Sequence, residues 1–508
     1  MQKYCSLLMA SQLLMLKIKV YTVVPLFFLF FVSCKKNEKV VPPVATGTRL
    51  QLSLDSLYLY AKETYYWYDA LPDYTTFNPR QYATPGADLS SLSTTLKAIT
   101  ALAINPQTKQ SYEYRDGHSL PLYSFIAEGN VITGQRGVVD MEGVGNDLGF
   151  GLAIVNDTSV YISYVEQGSA AASAGISRAM KLTHVNGDPV QANTNALNNL
   201  LGSPILTLRL QKQDSTLSEI TIVSQKYTAS PVLASAVLNA AAKKVGYIAL
   251  ARFSNLSTAQ ADLDAAFAGL SDPNISNLIV DLRYNGGGYV ETAEYVANLI
   301  APASLNNAVM FSEYYNPLLQ QGKAPILKTI PYLDENRQPV YINGRKATYA
   351  DINYSVSGNT YRFSKKSGLS GIKSIVFIVS GQTASASELL INCFKPYADV
   401  KLVGSTTYGK PVGFFGIGID VYTAYLSQFR IVNAEGQGDY YSGMSCDVTA
   451  PDDVMHDFGD PQESCIKQAL QYISSSTFRL NSGTSSISVR MIKGNVFLGM
   501  IEQRLKLK

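Results

Sequence analysis

Apolar positions recur at helical spacing across residues 48–137. In LQLSLDSLYLYAKETYYWYDALP, Leu54, Leu57, Tyr58 and Ala61 fall on one face, and a second periodic stretch follows in LSSLSTTLKAITALAI. The spacing predicts a small N-terminal helical domain whose aromatic face includes the only tryptophan, Trp67, and core packing is the default use for those aromatics. Over 138–228 the runs shorten and alternate, as in VYISYV and LTLRLQ, with Gly, Asn and Asp between them, which predicts a β-rich module. Over 243–472 strands alternate with helices: VGYIALARF, NLIVDLR, a helix over 290–300, SIVFIVS, a helix over 384–397, then VKLVG. Continuous apolar strands with helices between them predict an α/β layer whose sheet is covered on both faces. A polar, tyrosine-rich insertion over 305–370 interrupts this pattern; it suits a lid or substrate-gripping element, although a solvated elaboration is the commoner use of such a segment. The pattern assigns no role to the Ser/Thr-rich tail, 473–508, which ends in basic residues.

Candidate chemistry lies at the turns of the α/β part. In SIVFIVSGQTASASELLINCF an apolar strand ends at Gly381 and small residues lead into a helix, so Ser385 falls at its first turn. Unpaired N–H groups and the positive end of the helix dipole there stabilise an alkoxide and the oxyanion formed by its attack on a carbonyl. Taken alone, Ser385 reads as an N-cap. A nucleophilic serine needs a base, and the three histidines, His118, His184 and His456, all fall outside the strand-to-helix turns of the α/β part. Lys410, in VKLVGSTTYGKPVG, follows the next core strand. To act as a base its pKa must fall from ~10.4 to roughly 7 or 8, equivalent to about 3 to 5 kcal/mol, which burial can supply; an isolated lysine after a strand is ordinarily a surface charge. NLIVDLRYNGGGYVETAEYVANLI again runs strand, turn, helix, and two such turns on neighbouring parallel strands face one crevice. The N–H groups of Gly287 and Ala386 are therefore the expected oxyanion hole. A phosphate cradle fits poorly, because NGGG is not part of a GxxxxGK[ST] motif.

The order LGFGLAI, VYISYVEQGSAAASAGI, MKLTHVNGDPV resembles a PDZ domain, whose Gly-aromatic-Gly-apolar loop, here Gly149, Phe150, Gly151 and Leu152, presents N–H groups to a peptide's terminal carboxylate. With DLRYNGGG, TASASE and STTYGKP following in that order, residues 48–472 resemble the carboxyl-terminal processing peptidases, the tail-specific serine peptidase family S41. The resemblance implies an α/β multidomain fold with a crotonase- or ClpP-like ββα core, an inserted or preceding PDZ-like β module and an N-terminal helical domain. It implies a serine endopeptidase acting on protein or peptide substrates recognised through their C-terminal residues, with no cofactor. Ser385 is then the nucleophile and Lys410, 25 residues on, its partner. Glu388 supports the site, and Asp281 and Arg283 hold the Gly-rich turn. Phe414 departs from the pattern, since many members carry a glutamine four positions after the lysine. That departure motivates a rival reading, a peptide-binding lipoprotein on the same scaffold with weak or lost turnover; an acyl-CoA enzyme with the same oxyanion geometry is a third.

Composition narrows the setting. A chain of 508 residues, 46% hydrophobic, has material for more than one core. Lys+Arg exceed Asp+Glu by 42 to 39, and Lys3, Lys17 and Lys19 account for that excess within the first 33 residues, so nothing points to a nucleic-acid partner. Lys17 and Lys19 precede an apolar run over 20–32 that is short for a membrane span and ends in FVSC, which resembles a lipoprotein lipobox. The expectation is a signal peptide over 1–33, lipidation of Cys34, a flexible linker over 34–47 and a lipid-anchored place in the cell envelope; a plain cleaved signal or a short anchor helix is the alternative. Cys446 and Cys465 can pair in an exported chain, with Cys393 a buried thiol, or all three are free. There is no CxxC or Cys/His cluster at zinc spacing, so no metal is expected.

Overall fold

Six strands form the central sheet, in the order Val232–Ala240, Lys243–Leu250, Asn277–Asp281, Ser374–Val379, Asp399–Gly404, Val448–Thr449. The first pair is antiparallel and every later pair parallel. The computed structural model describes residues 46–114, 120–128, 139–334, 338–478, 487–492, 499–501 and 504–508. The expected signal segment, Cys34 and His118 lie outside them. Among the described residues no helix is long and apolar enough to cross a membrane.

The sheet is buried on both faces because its strands are apolar at successive positions. Ile248, Leu250, Leu278, Val280, Ile375 and Phe377 join the core under helices Leu256–Ala268, Val290–Ile300 and Ala386–Phe394. Their sequence neighbours Tyr247, Ala249, Ile279, Val376 and Ile378 pack with Ile466, Ala469 and Ile473 of helix Ser464–Ser475. This period-2 division is what a strand dictates when both sides are covered. Three adjacent parallel strands end at Asp281, Val379 and Gly404. The Gly-rich turn, the Ser385 turn and the Lys410 loop therefore leave the sheet at the carboxyl ends of neighbouring strands.

Helix Arg49–Thr64 begins with a capping box, in which Thr48 Oγ1 accepts from the Gln51 N–H at 3.2 Å and Gln51 Oε1 accepts from the Thr48 N–H at 2.9 Å. Leu54, Leu57, Tyr58 and Ala61 are buried on one face, and half-buried Trp67 stacks on Tyr112 with ring centroids 4.4 Å apart at the margin of that core. The helical part is not walled off from the rest: Ile419, Ala424 and Leu426 complete its core, and strand Phe125–Glu128 pairs with Tyr422–Tyr425. Residues between 144 and 223 form the β-rich module, in which Phe150–Val155, Ser159–Val165, Lys181–Val185, Ile205–Gln211 and Leu217–Val223 stand in one sheet with helix Thr194–Leu201 against it.

The structure decides between alternatives at two places that the sequence leaves open. The 305–370 insertion is not a solvated elaboration: strand Val309–Tyr315 pairs with Thr360–Arg362 and Phe429–Asn433, and Leu319, Leu327, Ile352 and Tyr354 enter the main core. Its apolar residues are irregularly spaced, which hid this burial from periodicity. Cys446 and Cys465 are both free, as is Cys393. Cys465 belongs to the core under Ser464–Ser475, whereas Cys446 packs against the core on the other face of the sheet.

Arg283 ties the Gly-rich turn to the last of these helices. Its guanidinium, 2% exposed, pairs with Asp281, Asp452 and Glu463, each at 2.8 Å, and Glu463 also caps helix Ser464–Ser475 by accepting from the Ile466 N–H. Removing one member of a buried ionic network strands the others without compensation. Arg283→Met is expected to lower stability by about 3 to 5 kcal/mol, measured as a fall in the urea midpoint; a midpoint unchanged from the parent chain would contradict this role.

Candidate active site

Ser385 sits between strand Ser374–Val379 and helix Ala386–Phe394 with φ +63° and ψ −111°, a backbone conformation that L-residues rarely adopt. Such a conformation costs of order 1–3 kcal/mol and persists only where its surroundings enforce it. The enforcing contacts are local: Thr383 Oγ1 donates to the Leu282 carbonyl, the Ala384 N–H donates to the Asn285 carbonyl, and the Ser385 N–H donates to Glu388 Oε2 at 2.9 Å. Ser385 is fully buried and its Oγ has no hydrogen-bond partner among the described residues. Ala386 opens the helix, so its N–H has no acceptor within it.

Lys410 is also fully buried. Its Nζ donates to the Tyr123 carbonyl at 3.3 Å and stands 4.4 Å from the centroid of the Phe414 ring. Burial pushes the amine down to about 7, against the pull of the Glu113 and Glu388 carboxylates. The structure does not join Nζ to Ser385 Oγ by a hydrogen bond; it joins their backbones. Glu388 Oε2 accepts from the Ser385 N–H and from the Lys410 N–H, at 2.9 and 2.8 Å, while Oε1 accepts from the Gly409 N–H at 2.8 Å and the Thr407 hydroxyl at 2.5 Å. Burial raises the carboxyl's proton affinity and these four donors lower it, with burial the larger effect.

Gly287, the other expected oxyanion donor, has φ +106°, and a side chain there would meet the Ala384 carbonyl at 2.9 Å and the Ala386 nitrogen at 3.1 Å. Only glycine lets the two turns approach so closely. Its N–H, however, is engaged with Asn285 Oδ1 at 3.0 Å. Asn285 is a residue the sequence reading missed. It is fully buried, its carbonyl accepts from the Ala384 N–H and the Ser387 hydroxyl, and its side-chain Nδ2 has no partner among the described residues. Thr407, Tyr123 and Glu113 were missed too. Tyr123 and Glu113 come from the N-terminal part, where Glu113 accepts from Tyr65, Ser124 and Ser427, and periodicity alone signals none of these contacts. Asp281 and Arg283 lie in the ionic network beneath the Gly-rich turn. Gly149 precedes the strand Phe150–Val155, which Phe150, Gly151 and Leu152 open, and with Asp147, Leu148, Tyr164 and Leu201 the residues Gly149, Phe150 and Gly151 line a small cleft.

A strained serine at a helix start, an amine kept near neutrality by burial and an adjoining glycine-rich turn define a site suited to acyl transfer. Residues 244–417 match the family described as Peptidase family S41. The chain is 30% identical over 205 residues to the chloroplastic C-terminal processing peptidase of Tetradesmus obliquus, covering 40% of this chain and 34% of that protein. It is 26% identical over 285 residues to the chloroplastic carboxyl-terminal-processing peptidase 3 of Arabidopsis thaliana, covering 52% and 46%. The chain thus spans a third to a half of the length of these curated relatives. A crystal structure from Bacteroides fragilis, of a protein assigned to the S41 proteases, shares the fold with a TM-score of 0.52 at 21% identity, over 83% of this chain and 97% of that one.

The buried amine gives a thermodynamic test of the site. An unfolded lysine keeps its proton to about pH 10.4, whereas folded Lys410 releases it near 7. Between those values the unfolded chain binds the extra proton, so stability rises with pH through the window, and the cost of burying Lys410 is greatest below it. Lys410→Met is therefore expected to be more stable than the parent by a few kcal/mol at about pH 6, at roughly 1.4 kcal/mol per tenfold change in proton affinity, with the gain shrinking towards about pH 10. Chemical denaturation across this range checks it; a gain independent of pH would refute the burial of a neutral amine.

Proposed function

We propose that the chain is a serine endopeptidase in which Ser385 is the nucleophile and Lys410 its general base. The observation that carries this reading is the shared Glu388 oxygen, which fixes the backbones of both residues to one point while burial holds the amine near pH 7. The neutral amine leaves the Tyr123 carbonyl, takes the Ser385 hydroxyl proton, and Oγ attacks a peptide carbonyl. The resulting ammonium then protonates the leaving amine, and water hydrolyses the acyl-enzyme with Lys410 again as base. Contacts of this kind tighten when substrate binds. The Ala386 N–H supplies one oxyanion contact. Gly287 supplies a second when its N–H is released from Asn285, or the Asn285 Nδ2 group does so directly.

Phe414 fits this scheme. Its ring packs against Phe125 and Tyr425 and keeps water from the amine, while the Tyr123 carbonyl provides the polar contact that a glutamine would make. The site therefore retains what a base requires, and the reading of a scaffold with lost turnover gains no support from Phe414. In the same reading the β module is PDZ-like and captures substrate C-termini at the Gly149–Leu152 loop, the core is of the crotonase type, and Cys34 carries a lipid that holds the chain in the cell envelope.

Ser385→Ala and Lys410→Ala are each expected to reduce hydrolysis of an unfolded protein by at least ~10³-fold, given how sharply paired catalytic groups fail when one is lost. In the parent chain kcat/KM is expected to rise with pH through about 7 and then level, because the deprotonated amine is the active form. Full activity in either variant, or a profile that falls as pH rises through 7, would overturn the dyad.

A further inference from the structure

Three described pieces of chain after helix Ser464–Ser475, residues 487–492, 499–501 and 504–508, pack against the β module, the glycine-rich turn and the insertion. Val489–Ile492 adds to the edge of Phe150–Val155 as an antiparallel strand, Val489 opposite Val155 and Ile492 opposite Leu152, with helix Thr194–Leu201 packed against it. The Asn156 N–H donates to the Ser488 carbonyl and the Ser488 N–H donates to Asn156 Oδ1, extending the same ladder. This edge begins at the Gly149–Leu152 loop, and strand addition to it is the way an extended peptide binds such a sheet.

Further on, Gly499–Ile501 lies parallel to Gly287–Tyr289, with Gly499 opposite Gly287 and the Gly499 N–H donating to the Gly286 carbonyl at 3.1 Å. On its other side it meets Val412–Gly413, and the Met500 carbonyl accepts from the Phe414 N–H at 3.2 Å. An extended backbone thus runs between the glycine turn and the Lys410 loop, with the Gly499 carbonyl 2.4 Å from where a Gly287 side chain would begin. Met500 is fully buried. Beyond it, Arg504 pairs with Glu294, and the Lys506 and Lys508 backbones bond to Asn353 and Asp351 of the insertion. Ser385 and Lys410 are both closed off from solvent with this segment in place.

We propose that Val489–Ile492, Gly499–Ile501 and residues 504–508 are a built-in occupant of the substrate path, a pseudosubstrate bound in cis that an incoming peptide displaces. The segment also marks what the path accepts: an extended peptide that adds a strand at Leu152–Val155 and places an apolar side chain where Met500 lies. The consequence for turnover rests on the peptidase reading; the occupancy itself does not. A tethered occupant competes at an effective concentration of order millimolar, so a second copy of the same peptide should be excluded from the intact chain.

The test uses fluorescein-labelled synthetic peptide of residues 487–508 and fluorescence polarisation. Two Ser385→Ala chains are compared, one intact and one ending at Phe478. The shortened chain is expected to bind the peptide at least ~10-fold more tightly than the intact chain, and a scrambled peptide is expected to bind neither. Equal binding to both chains, or binding to neither, overturns the proposal. Because removal of Met500 from the core could unfold the shortened chain, the intact chain carrying Met500→Lys is measured beside it. That variant is expected to bind the peptide as the shortened chain does and, with Ser385 restored, to hydrolyse unfolded protein several-fold faster than the parent. Slower or unchanged hydrolysis by a variant with turnover overturns the proposal, and so does loss of the folded state in both variants, which would make the segment an ordinary core strand. A shortened chain that captures the peptide but cleaves nothing sustains the occupancy and refutes the peptidase reading alone.

Discussion

A buried carboxylate with four donors around it holds the site together. Glu388 lies one turn into its helix, where its oxygens reach back to the Ser385 N–H and across to the Lys410 loop. Burying a carboxylate is costly unless its oxygens are saturated, and here they are met by three backbone N–H groups and the Thr407 hydroxyl. That requirement fixes the loop's path, and with it the strained backbone of Ser385. Neither feature is favourable alone; the sheet supplies the rigidity that lets them persist.

The sheet does so by bringing the carboxyl ends of three neighbouring strands together, so that consecutive crossovers deliver the Gly-rich turn, the serine turn and the lysine loop side by side. Arg283 anchors the first of these from beneath. Aromatic packing completes the enclosure: Phe414 with Phe125 and Tyr425 on one side, and Phe415 stacked on Tyr349 of the insertion on the other. Lys410 is left fully buried, and burial is what lowers its proton affinity.

Much of this is legible in the chain, for physical reasons. The core strands are continuous apolar runs that nothing but a doubly covered sheet accommodates, and the helix face of Leu54, Leu57 and Tyr58 is set by its period. Ser385 and Lys410 stand at the ends of such strands, where turns are conspicuous. Glu113 and Tyr123 were not legible, because they reach Lys410 only through tertiary packing of a segment almost 300 residues away along the chain. The insertion misled because its burial follows irregular spacing, and the engagement of the Gly287 N–H by Asn285 is a matter of side-chain placement that glycine motifs do not encode. The tail gave no periodicity at all, since short added strands take their register from the partner edge.

The central claim is that burial lowers the proton affinity of Lys410 until a large share of the amine is uncharged at neutral pH. NMR titration of the chain labelled with ¹³C at lysine Cε, with Lys410→Met used to identify the signal by difference, tests it most directly. The account predicts one resonance, absent from the variant, that titrates with a midpoint of about 7. A Lys410 resonance that titrates near 10, like that of an exposed lysine, would contradict it.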